Sequence, residues 1–298
     1  MKLSMTNSIF WRRLNTEQVA GLLSSTGFDA VDCCLNDMAD DNDRFNKPDY
    51  REQAVIWRKC MEDKGLTVNQ THAPCSFQNW DDPVYFEEVI FDRIRRSLEI
   101  TAIMGAEITI VHPLRHFTYA GHEEEIFQIN MDFYRRLLPY CKEYDVKIAV
   151  ENMWRRDPGN PRILPDVCAY KDEFVRYIDT LDSEYVVACL DIGHASVVPE
   201  CDRAPEMIRA LGHERLRALH VHDNNMQLDQ HLLPFSGKIN WPEVTAALHE
   251  IGYQGELTYE PGAGILKNVP DGFLPTAMKY MADVGRYLIQ GIETGELR

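Results

Sequence analysis

Residues 185–224, YVVACLDIGHASVVPECDRAPEMIRALGHERLRALHVHDN, hold one full repeat of the pattern that decides the fold. A β-branched run, 185–195, predicts a strand, and the apolar spacing of 204–214 predicts an amphipathic helix. A second strand is predicted at 216–224. Strand, helix and strand in this order indicate two parallel strands joined by a crossover helix.

The same alternation extends outward to both ends of the chain. Strands are predicted at residues 2–7, 30–35, 66–73, 107–113, 146–153, 185–195, 216–224 and 255–261. Helices are predicted at residues 16–27, 49–65, 85–106, 123–145, 171–182, 204–214, 241–252 and 276–297. Eight strands and eight helices in strict order favour an α/β fold with a single (β/α)₈ TIM barrel domain over residues 1–298.

Composition and charge exclude several classes of protein. Forty-seven acidic against 31 basic residues give a net charge of −16, which repels nucleic acid and anionic lipid surfaces. The chain has neither a long apolar run nor a signal-like start, so we expect a cytoplasmic protein that is not membrane-bound. It also has no GxGxxG or P-loop motif, so no nucleotide cofactor is predicted. The eight scattered cysteines predict free thiols.

Side chains that bind metals and substrates stand at the ends of six predicted strands. They are His72, His112, Glu151, Asp191, His220 and Glu260. The first four follow one another at intervals of 40, 39 and 40 residues, and the last two are 40 apart. One βα unit has about this length, so these residues lie at equivalent heights. Because active sites of such barrels lie at the carboxyl ends of the strands, we expect one ring of functional groups there.

Three of these residues are carboxylates, namely Glu151, Asp191 and Glu260. A lone histidine at a strand end is more often structural, but three buried carboxylates at one barrel mouth repel one another strongly unless a cation lies among them. With a histidine added, the three-oxygen, one-nitrogen set suits one divalent ion such as Mn²⁺, Mg²⁺, Co²⁺ or Zn²⁺.

The segment LHVHDNNMQLDQHLLPFSGKINW, residues 219–241, concentrates further ligand-type side chains. Its first residues end the seventh predicted strand, and the rest form a long loop of the kind that borders active sites. His220 and His222 are two residues apart and face the same side of a strand, so either could be the metal ligand. Asp229 and His231 are possible additional ligands.

Six short motifs, taken together, carry a resemblance to a known superfamily. They are VEN (150–152), LDIGH (190–194), HVHD (220–223), DQH (229–231), GKINW (237–241) and YEPG (259–262). Over nearly its whole length the chain resembles the xylose-isomerase-like barrels, which include sugar isomerases, sugar 3-epimerases, inosose dehydratases and abasic-site endonucleases. In the epimerase branch the matching positions hold one catalytic metal, which implies Glu151, Asp191, His220 and Glu260 as ligands.

The resemblance implies an isomerase or epimerase that acts on a carbohydrate or cyclitol. The metal would stabilise an enediolate, while Glu151 and Glu260 move protons on opposite sides of the substrate. The predicted substrate-binding residues are His72, His112, His194, His222, Trp154 and Arg155. Other candidates are Phe10, Trp11 and Phe235 as apolar walls, and Arg115 and Arg156 as contacts for a polar or acidic substrate.

Several alternatives stay open. Met226 stands where the epimerase branch carries an arginine, which puts ketohexose epimerisation in doubt. A lyase that uses the same enediolate, such as an inosose dehydratase or an enzyme eliminating from a 3-oxo-glycoside, is the alternative enzyme. All nine zinc ligands of the abasic-site endonucleases have matches, at His72, His112, Glu151, Asp191, His194, His220, Asp229, His231 and Glu260, but the charge of −16 argues against DNA binding.

A non-catalytic sugar-binding subunit would leave the carboxylates unexplained. The long last helix is a possible homo-oligomer interface.

Overall fold

The computed structural model describes residues 1–10, 13–115, 118–160, 162–198 and 201–297. In chain order, strands β1 to β10 are Leu3–Thr6, Ala30–Cys34, Thr67–His72, Ile108–Val111, Lys147–Glu151, Trp154–Arg156, Ile163–Pro165, Val186–Asp191, Leu216–His220 and Leu257–Tyr259. Eight of these strands pair in the order β10-β1-β2-β3-β4-β5-β8-β9, and every pair is parallel.

The sheet closes between its two ends just beyond β9. Val221 pairs with Tyr259 in parallel. The N–H of Val221 donates to the carbonyl of Thr258 at 2.9 Å, and the N–H of Glu260 donates to the carbonyl of Val221 at 3.2 Å. The predicted eight-stranded barrel is therefore confirmed.

Helices surround the barrel. Helices α1 to α10 are Thr16–Thr26, Tyr50–Glu62, Pro83–Tyr85, Asp92–Met104, Glu123–Tyr144, Lys171–Leu181, His194–Val197, Ala204–Arg215, Trp241–Glu250 and Leu274–Thr294. A π-helical segment, Phe86–Phe91, joins α3 to α4, so the helix predicted at 85–106 is a continuous helical segment with an irregular first half. Helix α1 shows how local sequence sets the ends, since Asn15 and Gln18 form a capping box and Gly27 ends the helix with φ of 102°.

A small apolar layer inside the barrel positions the functional side chains. Ile110, Ala149, Val187, Cys189 and Ala218 form a buried cluster that is separate from the main core between sheet and helices. Side chains on a strand alternate between faces, so the next inward residue lies two positions further on. Glu151, Asp191 and His220 follow Ala149, Cys189 and Ala218 at that spacing, and they lie directly above the apolar layer.

The structure differs from the predicted segments mainly in the loop after β5. Strands β6 and β7 form an antiparallel hairpin in which Trp154 pairs with Pro165. The last two barrel strands are shorter than predicted, since β9 ends at His220 and β10 at Tyr259, and the chain leaves the sheet after the Val221–Tyr259 pair. Among the residues that the structure describes, no helix has the length and apolar character needed to span a membrane.

Candidate metal centre

Four of the strand-end residues converge at the barrel mouth. One ligand atom from each of Glu151, Asp191, His220 and Glu260 can be chosen so that all four atoms lie within 4.8 Å of one another. Glu151, Asp191 and His220 are buried, whereas the Glu260 side chain is 23% exposed. The group, called the tetrad below, therefore has one face that opens outward.

Glu151 lies between two imidazoles. Its Oε1 is 3.0 Å from Nδ1 of His220, and its Oε2 is 2.9 Å from Nε2 of His112. Burial alone would raise the pKa of Glu151, but its contacts with the imidazoles of His220 and His112 hold that pKa well below the usual range. Glu151 is therefore an ionised carboxylate in a site with almost no water contact.

Asp191 is fixed by its own motif, LDIGH. The side chain of Asn152 forms two hydrogen bonds with the main chain of Asp191. It accepts from the Asp191 N–H at 2.8 Å and donates to the Asp191 carbonyl at 3.0 Å. The N–H of His194 donates to Oδ1 of Asp191 at 2.6 Å, and Nε2 of His222 lies 3.0 Å from the same oxygen. Burial would raise the pKa of Asp191, but His194 and His222 lower it.

Gly193 of the same motif is required by close approach. A Cβ atom added there would lie 1.9 Å from Cε1 of His222. The Gly193 carbonyl also accepts from the side-chain amide of Asn224 at 2.9 Å. The glycine therefore lets the His222 ring pack against the turn that carries Asp191.

Asp223 organises the long loop after β9. Its buried carboxylate accepts four hydrogen bonds, two on each oxygen, from the main-chain N–H groups of Asn224, Gly237 and Ile239 and from the indole N–H of Trp241. Asp223 of the HVHD motif therefore binds residues of the GKINW motif, and this contact fixes both ends of the loop that carries Asp229 and His231.

The structure places His220 and His222 in different groups. Nδ1 of His220 belongs to the tetrad. His222 instead forms a second possible ligand group with His194, Asp229 and His231, whose ligand atoms also lie within 4.8 Å of one another. A third such group, His72, Cys75 and His112, includes a thiol that the sequence analysis did not single out.

The second group is held together by charge. Nε2 of His231 lies 3.0 Å from Oδ2 of Asp229, and the two rings of His222 and His231 stack at 3.8 Å. Burial would lower the pKa of His231, but Asp229 raises it to about 9. Burial likewise opposes the charge on His194, whose pKa Asp191 and Asp229 raise to about 10.

One cavity borders the tetrad through Glu260, and a second borders His112, which contacts Glu151. One, of about 550 Å³, is bordered by Glu260 and His231, with Asn7, Phe10, Asn36 and Arg44 among its other walls. The other, of about 520 Å³, is bordered by His112 and contains Cys75, Arg115, Arg155 and Asp166 in its lining.

The predicted substrate-binding residues are distributed unevenly around these cavities. Trp154 is half-buried and edge-on to His194, with ring centroids 6.2 Å apart. Arg155 pairs with the fully buried Asp166 at 3.0 Å, and Nη1 of Arg115 donates to the carbonyl of Trp154 at 3.0 Å. Phe235 is 49% exposed and packs on Trp241 and Tyr287, away from the tetrad. Trp11 lies outside the described residues.

The predicted histidines of the mouth are buried or half-buried. Nε2 of His72 is 3.1 Å from Nε2 of His112 and 3.6 Å from Oε2 of Glu151. His194 is 8% exposed and His222 is fully buried.

Comparison with known proteins assigns the family. Residues 21–281 match the family described as "Xylose isomerase-like TIM barrel", and the chain belongs to this family. It is 30% identical over 187 residues to the mannonate dehydratase of Thermotoga neapolitana, which covers 58% of this chain and 50% of the relative. It is 25% identical over 225 residues to the D-psicose 3-epimerase of Enterocloster bolteae, which covers 71% of this chain and 67% of the relative.

A solved structure shows the same fold. The crystal structure of the IOLI protein with a bound zinc atom superimposes with a TM-score of 0.71 at 16% identity, covering 99% of each chain. In sequence, the chain spans only 51% and 62% of the length of two further curated relatives, from Sinorhizobium fredii and Methanocaldococcus jannaschii.

Proposed function

We propose that this protein is a divalent-metal-dependent isomerase or epimerase that acts on a sugar or polyol-derived ketone through an enediolate. One observation carries the proposal: three carboxylates and an imidazole present their ligand atoms to one point, and two of those carboxylates are buried. Burying like charges together is very costly unless a cation offsets them.

The donor set fits the proposed ion. Three carboxylate oxygens and one imidazole nitrogen suit Mn²⁺, Mg²⁺, Co²⁺ or Zn²⁺. Glu151, Asp191, His220 and Glu260 would hold it. When bound, such an ion withdraws charge from a carbonyl and its neighbouring hydroxyl, which makes the adjacent C–H proton easier to remove.

The proposed acid–base pair is Glu151 and Glu260. Glu260 borders the cavity of about 550 Å³ directly. Glu151 contacts His112, which borders the cavity of about 520 Å³. In the proposed reaction one of these carboxylates removes the proton and the other returns it.

His194 is the proposed contact for a substrate oxygen. Its Nδ1 donates to the carbonyl of Asn152 at 2.9 Å. The ring is therefore fixed, and Nε2 is turned toward Asp191 and Asp229, at 3.8 and 3.7 Å. A held imidazole at this position can orient a hydroxyl without rearrangement.

The relatives support a carbohydrate substrate, since one is a D-psicose 3-epimerase and another a mannonate dehydratase. The family match and the tetrad, taken together, favour an enzyme over a sugar-binding subunit.

A dehydratase is the second candidate. Besides the likeness to mannonate dehydratase, the cavity beside His112 contains Arg115 and Arg155, and both guanidinium groups lie near the buried Asp166 at 3.6 and 3.0 Å. Arginines held in this way can bind the carboxylate of a sugar acid. In this case the same proton removal would be followed by loss of a hydroxyl group as water.

Solvent exchange separates the two candidates. The metal-loaded protein is incubated in D₂O with a panel of ketoses, inososes and keto-acids, and products are followed by NMR. Deuterium at the carbon next to the carbonyl, with no loss of water, supports an isomerase or epimerase. A dehydrated product supports the lyase, and the absence of both reactions across the panel counts against the enediolate mechanism.

Two variants test whether Glu151 and Glu260 are the acid–base pair, and a variant of an exposed glutamate is the control. E151Q and E260Q should each lose at least about a hundredfold in turnover, the range of a general acid or base. E88Q, at an exposed position on the π-helical segment, should leave turnover unchanged. Full activity in E151Q would exclude its assigned role.

The number of metal ions bound per chain tests the alternative of an abasic-site endonuclease. One tightly held ion per chain is expected. Three zinc ions per chain, together with cleavage of an abasic-site oligonucleotide, would instead establish the nuclease.

A further inference from the structure

The site histidines differ in which ring nitrogen faces the barrel mouth. In three of them Nδ1 donates to a main-chain carbonyl at 2.7 to 2.9 Å, namely His72 to Ala73, His194 to Asn152 and His231 to Glu260. That hydrogen bond fixes a proton on Nδ1 and turns Nε2 toward the other side chains of the site.

His220 is turned the other way. Its Nδ1 faces the tetrad, 3.0 Å from Oε1 of Glu151 and 3.5 Å from Oε2 of Glu260. Its Nε2 points away from the tetrad, is fully buried, and has no hydrogen-bond partner among the described residues. The group that it approaches is Oδ2 of Asp32, at 3.7 Å.

Asp32 is a buried acid that the proposed reaction does not use. It lies on β2 and is 0% exposed. Its Oδ2 accepts a long hydrogen bond of 3.4 Å from Gln70, and within the described part of the chain its Oδ1 accepts none. An isolated buried carboxylate is strongly unfavourable, so an acid kept at this position needs a positively polarised partner. The imidazole of His220 is such a partner.

We infer that Asp32 is a positioning residue for the metal centre, acting through His220. Its Oδ2 faces Nε2 of His220 at 3.7 Å, and this carboxylate favours a proton on Nε2, which leaves the lone pair of Nδ1 facing the tetrad. Histidines that bind metals commonly donate their other N–H to a carboxylate or carbonyl, which orients the ring and makes the ligand nitrogen more basic. His220 is the histidine of the tetrad, and its outer nitrogen faces a carboxylate, whereas the outer nitrogens of His72, His194 and His231 face main-chain carbonyls.

The inference rests on the proposed metal centre, and affinity measurements test it without assaying turnover. Zn²⁺ and Mn²⁺ dissociation constants are measured on metal-free full-length protein by competition with a chelating dye. D32N keeps the shape of the side chain but removes its charge, so both ions should bind about 10- to 100-fold more weakly. The control Q70M removes the other contact of Asp32 and should leave both affinities unchanged.

A merely structural role gives a different pattern. In that case D32N would lower the thermal midpoint of the metal-free protein while its metal affinity matched that of the wild type, and Q70M would have the same effect. That pattern would overturn the inference. If the wild-type protein itself binds neither ion, the proposed metal centre fails first, so the two failures are distinguishable.

A second measurement requires no substitution at Asp32, in case D32N does not fold. The protein is labelled with ¹⁵N-histidine and loaded with Zn²⁺, and the His220 signals are identified by their absence in H220A. A proton on Nε2 with Nδ1 bound to zinc is expected. A proton on Nδ1, or a His220 ring that zinc does not perturb, would contradict the inference.

Discussion

Replacement of Asp223 by asparagine tests how the long loop is attached to the barrel. Each oxygen of the Asp223 carboxylate accepts two hydrogen bonds, at 2.8 and 3.1 Å on Oδ1 and at 3.1 and 3.0 Å on Oδ2. An asparagine amide has only one acceptor atom. Whichever way the amide is turned, its NH₂ group faces two of the four donors and leaves them unpaired.

The cost can be worked from those two donors. A buried donor without an acceptor costs about 1 to 3 kcal/mol. D223N should therefore lower the free energy of unfolding by about 2 to 6 kcal/mol. Urea unfolding followed by circular dichroism measures this difference, with an unchanged slope if the denatured state is unaffected.

A matched control and a local readout make this prediction specific. D132N changes an aspartate whose side chain is 80% exposed and 3.7 Å from Arg135, and it should shift stability by less than about 0.5 kcal/mol. In D223N, the Gly237 and Ile239 amides should exchange hydrogen faster than in the wild type. A D223N protein as stable as D132N, with those amides still protected, would refute the account of the loop.

Three further predictions follow from the site and the core. G193A places a methyl group against the His222 ring, 1.9 Å from Cε1, and should destabilise the protein by about 1 to 3 kcal/mol in a thermal melt; an unchanged midpoint would contradict this packing. H220A should lose bound metal after loading and desalting, whereas H222A should keep it, and the opposite result would exchange their roles. Burial raises the pKa of Glu173 to about 7 from 4.5. Its native state therefore holds a proton that the unfolded chain releases, so the wild type should lose about 2 to 3 kcal/mol of stability as the pH rises from 5 to 8, and E173Q should lose much less; parallel pH profiles of unfolding would contradict this.

The strand-end positions were predictable because a βα unit has a nearly constant length. His72, His112, Glu151 and Asp191 recur at that length, so their shared height needed no coordinates. The choice of His220 over His222 came from the motif resemblance alone, since strand periodicity puts residues two apart on the same side. In the structure, Val221 between them pairs with Tyr259, and this register brings His220 beside Glu260.

The supporting residues depend on contacts between distant parts of the chain. Asp32 is visible in the run AVDCCL as an acid among apolar residues, but its approach to His220 crosses the barrel interior. Asp223 was visible within HVHD, but its role requires the path of the loop back to Trp241. The β6–β7 hairpin has three residues a strand, too few to show an alternating pattern.

The most direct test of the central claim is anomalous diffraction from crystals of the protein grown with Mn²⁺. If the tetrad binds the metal, the map should show one strong peak within bonding distance of carboxylate oxygens of Glu151, Asp191 and Glu260 and of Nδ1 of His220. A map without a peak at that position, or with manganese only beside His194, Asp229 and His231, would contradict it.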